Sequence, residues 1–348
     1  MLLWCVFFLL VALRLAQCED TSFVVAVTAC GKKARYHMPT FLQSLIEQPS
    51  ATRRRIELHI FCDEDVRRIF VETGCVSRLH DGHFRAVWFH NVSDFAVLST
   101  IGSKSLSLLG KYWKEDQSRY SCASFKLDMI NMVPVTVDRI AYMDIDTVVF
   151  GDLAELFIRF DMHPTAILHV ALESYRLGRG WYADAKHAKR GDRKKHYLPP
   201  TGLNSGVVLM NLALMRLITP PLDVRAFVGA NDEAISMGDQ DVLNSWAFHH
   251  QDQVKVLPCR WNRRSDSDCL SLDATFASPT NASYKDGSFN LLASAGGVMH
   301  ASRRVFMRHV VFPRHYDLHL NLTQAFFRSC NLSSLIVSYK RGNSVFIL

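Results

Sequence analysis

The sequence predicts an α/β protein, and three observations lead to this fold class. Residues 140–143 and residues 22–28 are almost wholly apolar runs, which is typical of strands buried on both faces inside a parallel sheet. The run at 22–28 leads through the small residues of a turn, closed by Gly31, into a stretch with helical spacing. A strand, a tight turn and a helix in this order open many nucleotide-binding α/β proteins.

The other elements follow from the same two periodicities. Alternating or continuous apolar residues predict further strands, at residues 56–61, 86–89, 166–171, 207–210, 254–257 and within 296–304. Apolar residues three and four apart, or acidic helix-start residues, predict helices over 36–46, from 62–65 onward, over 122–130 and over 234–249. Pro134 lies just beyond the third of these helices, which is where a helix is expected to have ended.

Composition and charge restrict the function classes. The chain has 348 residues, 49% hydrophobic and 21% charged, which is ordinary for a globular protein. The net charge of +7 is scattered except for a basic run at residues 186–195, which we interpret as a solvated loop. Zinc spacing, an aromatic RNA-binding signature and a basic helix are all missing from the sequence, so we expect no nucleic-acid partner.

The first residues indicate entry into the secretory pathway. Residues 2–13 are almost wholly apolar, which is shorter than the roughly 20 residues of a membrane-spanning helix. Residues 1–18 therefore fit a signal peptide with Ala16 and Cys18 placed for cleavage, or an uncleaved short signal anchor. Four glycosylation triplets agree with a luminal location in the ER or Golgi; they begin at Asn91, Asn281, Asn321 and Asn331.

Nine cysteines suit an oxidising compartment. Two of them, Cys5 and Cys18, lie in the leader, and the remaining seven are an odd number. Cys259 and Cys269 bracket a short polar loop and are the disulfide that we expect first. The odd number leaves at least one free thiol, and we expect it at Cys30 or Cys122.

Two carboxylates follow the strand at residues 140–143. Asp144 and Asp146 lie at its C-terminal end, where open α/β sheets bind ligands. With the strand period of two, both carboxylates point to one side and Ile145 points to the core. Hard oxygen ligands there suit Mg²⁺ or Mn²⁺ shared with a diphosphate. The alternative is an ordinary surface turn, since Asp-x-Asp triplets are common there.

Other polar residues admit two interpretations each. Lys126 lies on the predicted helix before the Asp144 strand, and either contacts solvent or has a phosphate or carboxylate partner. The residues Asn204, Ser205 and Gly206 form a predicted turn before a strand, where backbone can approach a ligand closely. Residues 238–241 are either an exposed helix cap or part of a site.

Eight motifs, taken in order, carry a resemblance to a known family. The chain resembles the family 8 retaining glycosyltransferases, and within them the glucoside xylosyltransferases, from about Phe23 to His300. The motifs are VTACG at 27–31, HIF at 59–61, CAS at 122–124, YMDID at 142–146, GWY at 180–182, TGLNSGV at 201–207, GDQDVLN at 238–244 and PCRWN at 258–262.

This resemblance implies a GT-A-type nucleotide-diphosphate-sugar transferase fold, with a mixed, mostly parallel central sheet flanked by helices. One catalytic domain would span residues 22–330. Its nucleotide-sugar half would cover about 22–215, and its acceptor and metal-loop half about 216–330. Residues 331–348 would form a C-terminal tail.

The resemblance also implies roles for individual residues. Mn²⁺, or Mg²⁺, and a UDP-sugar would be bound, with Asp144, Asp146 and His300 as metal ligands. Relatives place glycines just after that histidine, whereas this chain has Ala301 and Arg304, so either the arginines neutralise phosphate charge or the donor fit is altered. The catalytic residues would be Asn204, Asp239 and Gln240, which would contact the donor sugar, and Lys126, which stands in place of an arginine. The donor would also contact Thr28, Ala29, Ser205, Gly206 and Arg303.

The function implied is transfer of xylose from UDP-xylose, in α1,3 linkage, to a glucose O-linked to EGF-like repeats of a glycoprotein. Xylose added to xylose, or another UDP-hexose as donor, are alternatives within the family. From the residues alone, Asp144 also fits the nucleophile motif of aspartyl-phosphate-type metal-dependent phosphohydrolases. An inactive sugar-nucleotide-binding relative is the third alternative.

Overall fold

The computed structural model describes residues 22–72, 75, 79, 83–92, 122–174, 182, 197–217, 239–264, 298–300, 325–326, 337–340 and 343–346. Twelve strands lie within these ranges. They are β1 Phe23–Ala29, β2 Ile56–Cys62, β3 Ala86–Asn91, β4 Arg139–Asp144, β5 Thr147–Val149, β6 Leu168–Leu172, β7 Leu203–Asn211, β8 Val254–Val256, β9 Arg263–Arg264, β10 Val298–His300, β11 Val337–Lys340 and β12 Asn343–Phe346.

Seven of these strands form the central sheet, in the order β3-β2-β1-β4-β7-β6-β8. Strands β3, β2, β1 and β4 are parallel to one another, and β8 is parallel to β6. Strand β7 is antiparallel to both of its neighbours, β4 and β6. The sheet is therefore mixed and mostly parallel, as the resemblance implied. A smaller sheet has the order β5-β10-β9, and β11 and β12 form an antiparallel hairpin within the predicted tail.

Helices cover both faces of the central sheet, which explains the continuous apolar runs. Alternate residues of β1 point to opposite sides: Val25 and Val27 belong to one buried cluster, and Val24 and Ala26 to the other. The helices are α1 Gly31–Ile46, α2 Ser50–Arg53, α3 Glu64–Glu72, α4 Met129–Met132, α5 Leu153–Met162, α6 Leu212–Leu217 and α7 Asp239–His249, with 3₁₀ helices at Ser124–Asp128, Gln251–Gln253 and Cys259–Asn262.

Three predicted elements differ in detail from the structure. The helix predicted over 122–130 is mainly the 3₁₀ helix Ser124–Asp128 followed by the short α4. Helix α7 begins at Asp239, and the predicted residues 234–238 lie outside the described part of the chain. Asn204, Ser205 and Gly206 lie inside β7 instead of in a turn before it. The division of the catalytic domain near residue 215 stays a prediction.

The cysteine prediction was wrong in one respect. Cys30 and Cys122 form a disulfide with their Cα atoms 6.1 Å apart, although the free thiol was expected at one of these two positions. The free cysteine among the described residues is Cys62, which is buried at the end of β2. Cys259 is disulfide-bonded, and its predicted partner Cys269 lies outside the described ranges. Small apolar neighbours in sequence carry no information about a partner 92 residues away.

None of the described helices is long and apolar enough to cross a bilayer. The apolar leader at residues 1–18 is outside the ranges to which this finding applies.

Candidate functional site

Polar residues from distant parts of the chain meet at one edge of the central sheet. Strands β1, β4 and β6 all end there, at Ala29, Asp144 and Leu172. Because β7 runs antiparallel to β4, its first residues lie at the same edge, where Val207 is paired with Met143. Helix α7 packs against β7 and begins with Asp239. Ligands of open α/β sheets bind at this kind of edge.

An irregularity in β7 shapes the edge. The pairing with β6 shifts from Val170 opposite Val208 to Ala171 opposite Asn204, so Ser205, Gly206 and Val207 have no partner on β6. Bulges of this kind bend a strand and redirect its polar groups, often beside active sites. Here the Ser205 carbonyl accepts a hydrogen bond from Lys126 Nζ at 3.0 Å.

Lys126 is the cation at the centre of the site. Its side chain is 1% exposed, and Nζ lies 2.9 Å from Asp144 Oδ1 and 2.8 Å from Asp239 Oδ2. With the Ser205 carbonyl, these acceptors match the three protons of an ammonium group. Burial lowers the pKa of Lys126, but Asp144 and Asp239 outweigh burial and hold that pKa above its ordinary value. In this arrangement Lys126 stays charged and acts on the site by positioning two carboxylates.

Asp239 is the buried carboxylate of this cluster. Its Oδ2 also accepts a hydrogen bond from Ser205 Oγ at 2.7 Å, and it lies in the first turn of α7, where the helix dipole favours a negative charge. Burial raises the pKa of Asp239, and the Lys126 ammonium opposes that rise. Two carboxylates around one ammonium carry a net negative charge, which suits a site for a divalent cation.

Tyr142 connects this cluster to the end of β1. The Lys126 ammonium lies 4.6 Å from the centroid of the Tyr142 ring, within the range of a cation–π interaction. The Tyr142 hydroxyl is 2.7 Å from Thr28 Oγ1, and burial raises the pKa of the phenol, which therefore stays protonated. Thr28 and Ala29, both predicted to contact the donor, are buried at this end of β1.

Asn204 and Gln240 lie next to the ion cluster. The Gln240 side-chain oxygen accepts a hydrogen bond from the Ser205 backbone N–H at 3.2 Å, and Asn204 Oδ1 accepts one from the Gly206 N–H at 3.0 Å. Both predicted sugar contacts are thus anchored to the irregular part of β7.

Glu173 was missed at the sequence level, although it contacts both of these side chains. Its Oε2 accepts hydrogen bonds from Asn204 Nδ2 at 2.7 Å and from Gln240 Nε2 at 3.0 Å. A usable signal was present, because Glu173 directly follows β6, as Asp144 ends β4.

Tyr182, from the GWY motif, supports the start of α7. Its hydroxyl donates a hydrogen bond to Asp241 Oδ1 at 2.7 Å. The Tyr182 ring packs on Gly202, whose φ is +80° and where any Cβ would overlap the ring. A glycine is therefore required at this position for both backbone and steric reasons.

Asp146 and His300 flank the end of β4. The strand ends at Asp144, and Asp146 lies in the turn before β5, so the period-of-two argument does not reach Asp146. Ile145 packs against the core, as predicted. Strand β10 pairs with β5, which sets the His300 backbone opposite Thr147, one residue after Asp146. Arg303, Ala301 and Arg304 lie outside the described residues.

Comparison with known proteins decides the family. A model of glycosyl transferase family 8 matches residues 90–279, which is more than half of the chain. The chain belongs to glycosyl transferase family 8. It is therefore a glycosyltransferase by family, and the phosphohydrolase alternative is not supported.

Similar family members include xylosyltransferases. The chain is 27% identical over 301 residues to glucoside xylosyltransferase 1 of Homo sapiens, covering 82% of this chain and 60% of that protein. It is 29% identical over 192 residues to xyloside xylosyltransferase 1 of Mus musculus, covering 51% of this chain and 48% of the relative. This family 8 chain thus spans about 60% of the length of the first relative.

Solved structures show that the fold is shared. Mouse xyloside xylosyltransferase 1 in its apo form matches with a TM-score of 0.53 at 21% identity, over 82% of this chain and 99% of that one. The galactosyltransferase LgtC in complex with donor and acceptor sugar analogs matches with a TM-score of 0.53 at 14% identity, over 88% of this chain and all of that one. The predicted GT-A-type fold is confirmed.

Family 8 glycosyltransferases generally use a UDP-sugar and a divalent metal. Among the side chains that the structure describes, which exclude that of His300, no three metal-binding groups cluster. These residues nevertheless fit such an ion: Asp144 at the end of β4 and Asp146 in the turn after it are partly exposed carboxylates, and the His300 backbone is paired with Thr147, the next residue. Carboxylate oxygens with an imidazole suit Mn²⁺.

Proposed function

We propose that this family 8 enzyme is a retaining, metal-dependent xylosyltransferase that moves xylose from UDP-xylose to a glucose O-linked to an EGF-like repeat, in α1,3 linkage. The observation that carries the proposal is the buried ion cluster of Lys126, Asp144 and Asp239 beside Asn204 and Gln240. The names of the similar proteins supply the sugar, and the glucoside xylosyltransferases among them supply the acceptor class.

The metal would be held by Asp144, Asp146 and His300, and it would neutralise charge on the diphosphate as UDP leaves. The chain's own residues prepare this site. Lys126 holds one oxygen of Asp144 at 2.9 Å and so fixes the carboxylate before the donor arrives. A preorganised charge of this kind costs no reorganisation during the reaction.

Retention is proposed to proceed by attack of the acceptor hydroxyl on the face that UDP leaves, with the leaving phosphate accepting the proton. A covalent intermediate would require a carboxylate at the anomeric carbon. The carboxylates at the start of α7 are engaged elsewhere, Asp239 by Lys126 and Ser205 and Asp241 by Tyr182. Gln240, which lies between them, is a poor nucleophile.

We further propose a location in the lumen of the ER or Golgi, with the leader either cleaved or kept as a type II anchor. The Cys30–Cys122 disulfide supports this location, because structural disulfides persist in oxidising compartments. The partners would then be a UDP-sugar and a glycosylated EGF-repeat protein, and no nucleic acid.

A donor panel tests the proposed function. The purified protein is incubated in Mn²⁺ with UDP-xylose, UDP-glucose and UDP-galactose, with and without an O-glucosylated EGF repeat, and UDP release and the product mass are measured. We expect UDP-xylose to be consumed fastest, one pentose to be added to the glucose, and Asp144→Asn to lose this transfer.

Three outcomes would contradict parts of the proposal. Fastest transfer of a hexose would refute the donor assignment. Efficient transfer to another glycan, without modification of the O-linked glucose, would refute the acceptor assignment. Thermal stabilisation by UDP with no turnover of any donor would indicate an inactive sugar-nucleotide-binding protein.

A further inference from the structure

Glu173 is a buried carboxylate that the proposed chemistry leaves without a role. It follows β6 directly, its residue is 4% exposed, and its backbone N–H donates to the Gly202 carbonyl at 2.8 Å. A buried carboxylate is costly unless hydrogen bonds compensate for its lost hydration. Its partners therefore indicate what the carboxylate does.

One oxygen of Glu173 orders two side-chain amides from different elements. Oε2 accepts from Asn204 Nδ2 of β7 at 2.7 Å and from Gln240 Nε2 of α7 at 3.0 Å. A carboxylate can only accept, so it determines that both amides turn their nitrogen atoms toward Glu173.

The oxygen atoms of the same amides are fixed independently. Asn204 Oδ1 accepts hydrogen bonds from the Gly206 N–H at 3.0 Å and from Asn262 Nδ2 at 2.7 Å. The Ser205 N–H donates to Gln240 Oε1 at 3.2 Å. Each amide is therefore held at both ends, and Glu173 is the acceptor common to the two nitrogen ends.

We propose that Glu173 is a positioning residue for the donor sugar, acting through Asn204 and Gln240. The inference rests on the proposed function, because it requires these two amides to face the transferred sugar. Glu173 acts through the length of its side chain, which places one acceptor oxygen within hydrogen-bond distance of both amide nitrogens. Its negative charge is secondary. Misplacement of such groups by about 1 Å lowers turnover by as much as 10²-fold.

Two conservative substitutions separate reach from charge. Glu173→Gln keeps an acceptor oxygen at the same distance from the backbone and removes the charge. Glu173→Asp keeps the charge and shortens the side chain by one methylene. The exposed Glu155, which pairs with Arg260 on the surface, provides the matched control Glu155→Asp.

The measurements are kcat, the affinity for UDP-xylose and the affinity for UDP, all in Mn²⁺, with the melting temperature as a check of folding. We expect Glu173→Asp to lower kcat on the order of 10²-fold. We also expect it to lose the affinity difference between UDP-xylose and UDP, while UDP affinity stays within about twofold. Glu173→Gln should remain near wild type in all three quantities.

Several results would overturn the inference. Glu173→Gln losing as much activity as Glu173→Asp would show that the negative charge is needed as well as the length of the side chain, against the statement that the charge is secondary. If Glu173→Asp lowers both the affinity for UDP and the melting temperature, Glu173 is a purely structural residue. Glu173→Asp matching Glu155→Asp would show no role in sugar positioning. Wild-type protein that turns over no donor would refute the proposed function, and the UDP-xylose and UDP affinities would still decide the role of Glu173.

Discussion

At the scale of single residues, Lys126 determines how the two carboxylates of the candidate site are arranged. A lone helical lysine usually extends into solvent, and this one is buried between Asp144 and Asp239. An arginine at this position would bind a carboxylate bidentately through its planar fork. Lysine instead distributes its three protons over Asp144, Asp239 and the Ser205 carbonyl.

Replacing this cation is expected to destabilise the protein. Lys126→Met leaves Asp239 buried without its charge partner, and removal of one partner of a buried pair costs about 3 kcal/mol or more. Urea unfolding should show this loss, and donor turnover should disappear. Lys126→Arg should retain part of the stability and part of the donor turnover. Lys255→Met on β8 should change the free energy of unfolding little. An unchanged urea midpoint for Lys126→Met would refute the central position of Lys126.

A second single-residue prediction concerns pH. His169 is buried in β6 beside the Phe160 ring, with centroids 5.5 Å apart. Burial lowers its pKa from 6.5 to about 4, with His163 adding to the effect. At pH values between about 4 and 6.5, the unfolded chain binds more protons than the folded chain. The free energy of unfolding therefore falls as the pH drops, by up to about 1.4 kcal/mol per pH unit.

His169→Phe should remove this part of the acid sensitivity. The measurement is the free energy of unfolding by urea at pH 7 and at pH 4.5, for wild type, for His169→Phe and for the exposed His249→Phe. The difference between the two pH values should shrink in the His169 variant and stay as in wild type in the His249 variant. Equal differences in all three proteins would show that His169 does not contribute.

At the scale of elements, the site depends on how the loops between strands are fixed. The Cys30–Cys122 disulfide ties the turn after β1 to the segment that carries Lys126, and it closes a long loop of the chain. Thr28 precedes Cys30 by two residues, so the disulfide lies next to the predicted donor contacts.

Loss of this disulfide should lower stability substantially. Cys30→Ser with Cys122→Ser should decrease the free energy of unfolding by about 4 kcal/mol, because a long loop of the unfolded chain is no longer closed. Urea unfolding compares this variant with Cys62→Ala, which removes a thiol that forms no disulfide. A decrease no larger than that of Cys62→Ala would mean that the disulfide does not constrain the chain.

At the scale of the whole molecule, the sequence predicted the strands of the central sheet because burial on both faces is a local pattern. The runs at 22–28 and 140–143 are examples. The contacts of Lys126 with Asp239 and of Glu173 with Asn204 were not predictable in this way, because they depend on which elements are neighbours in the fold. The disulfide partner of Cys30 and the irregular pairing of β7 have no signal in local sequence for the same reason.

We propose that this edge of the sheet holds a divalent cation and a nucleotide-sugar together, and a crystal of the protein grown with Mn²⁺ and UDP would show both directly. Anomalous scattering from manganese locates the ion independently of the protein phases. We expect one anomalous peak, from a manganese ion bound by Asp144, Asp146 and the His300 imidazole, with the diphosphate on the same ion. A manganese peak elsewhere, or a His300 side chain that points away from Asp144 and Asp146, would contradict it.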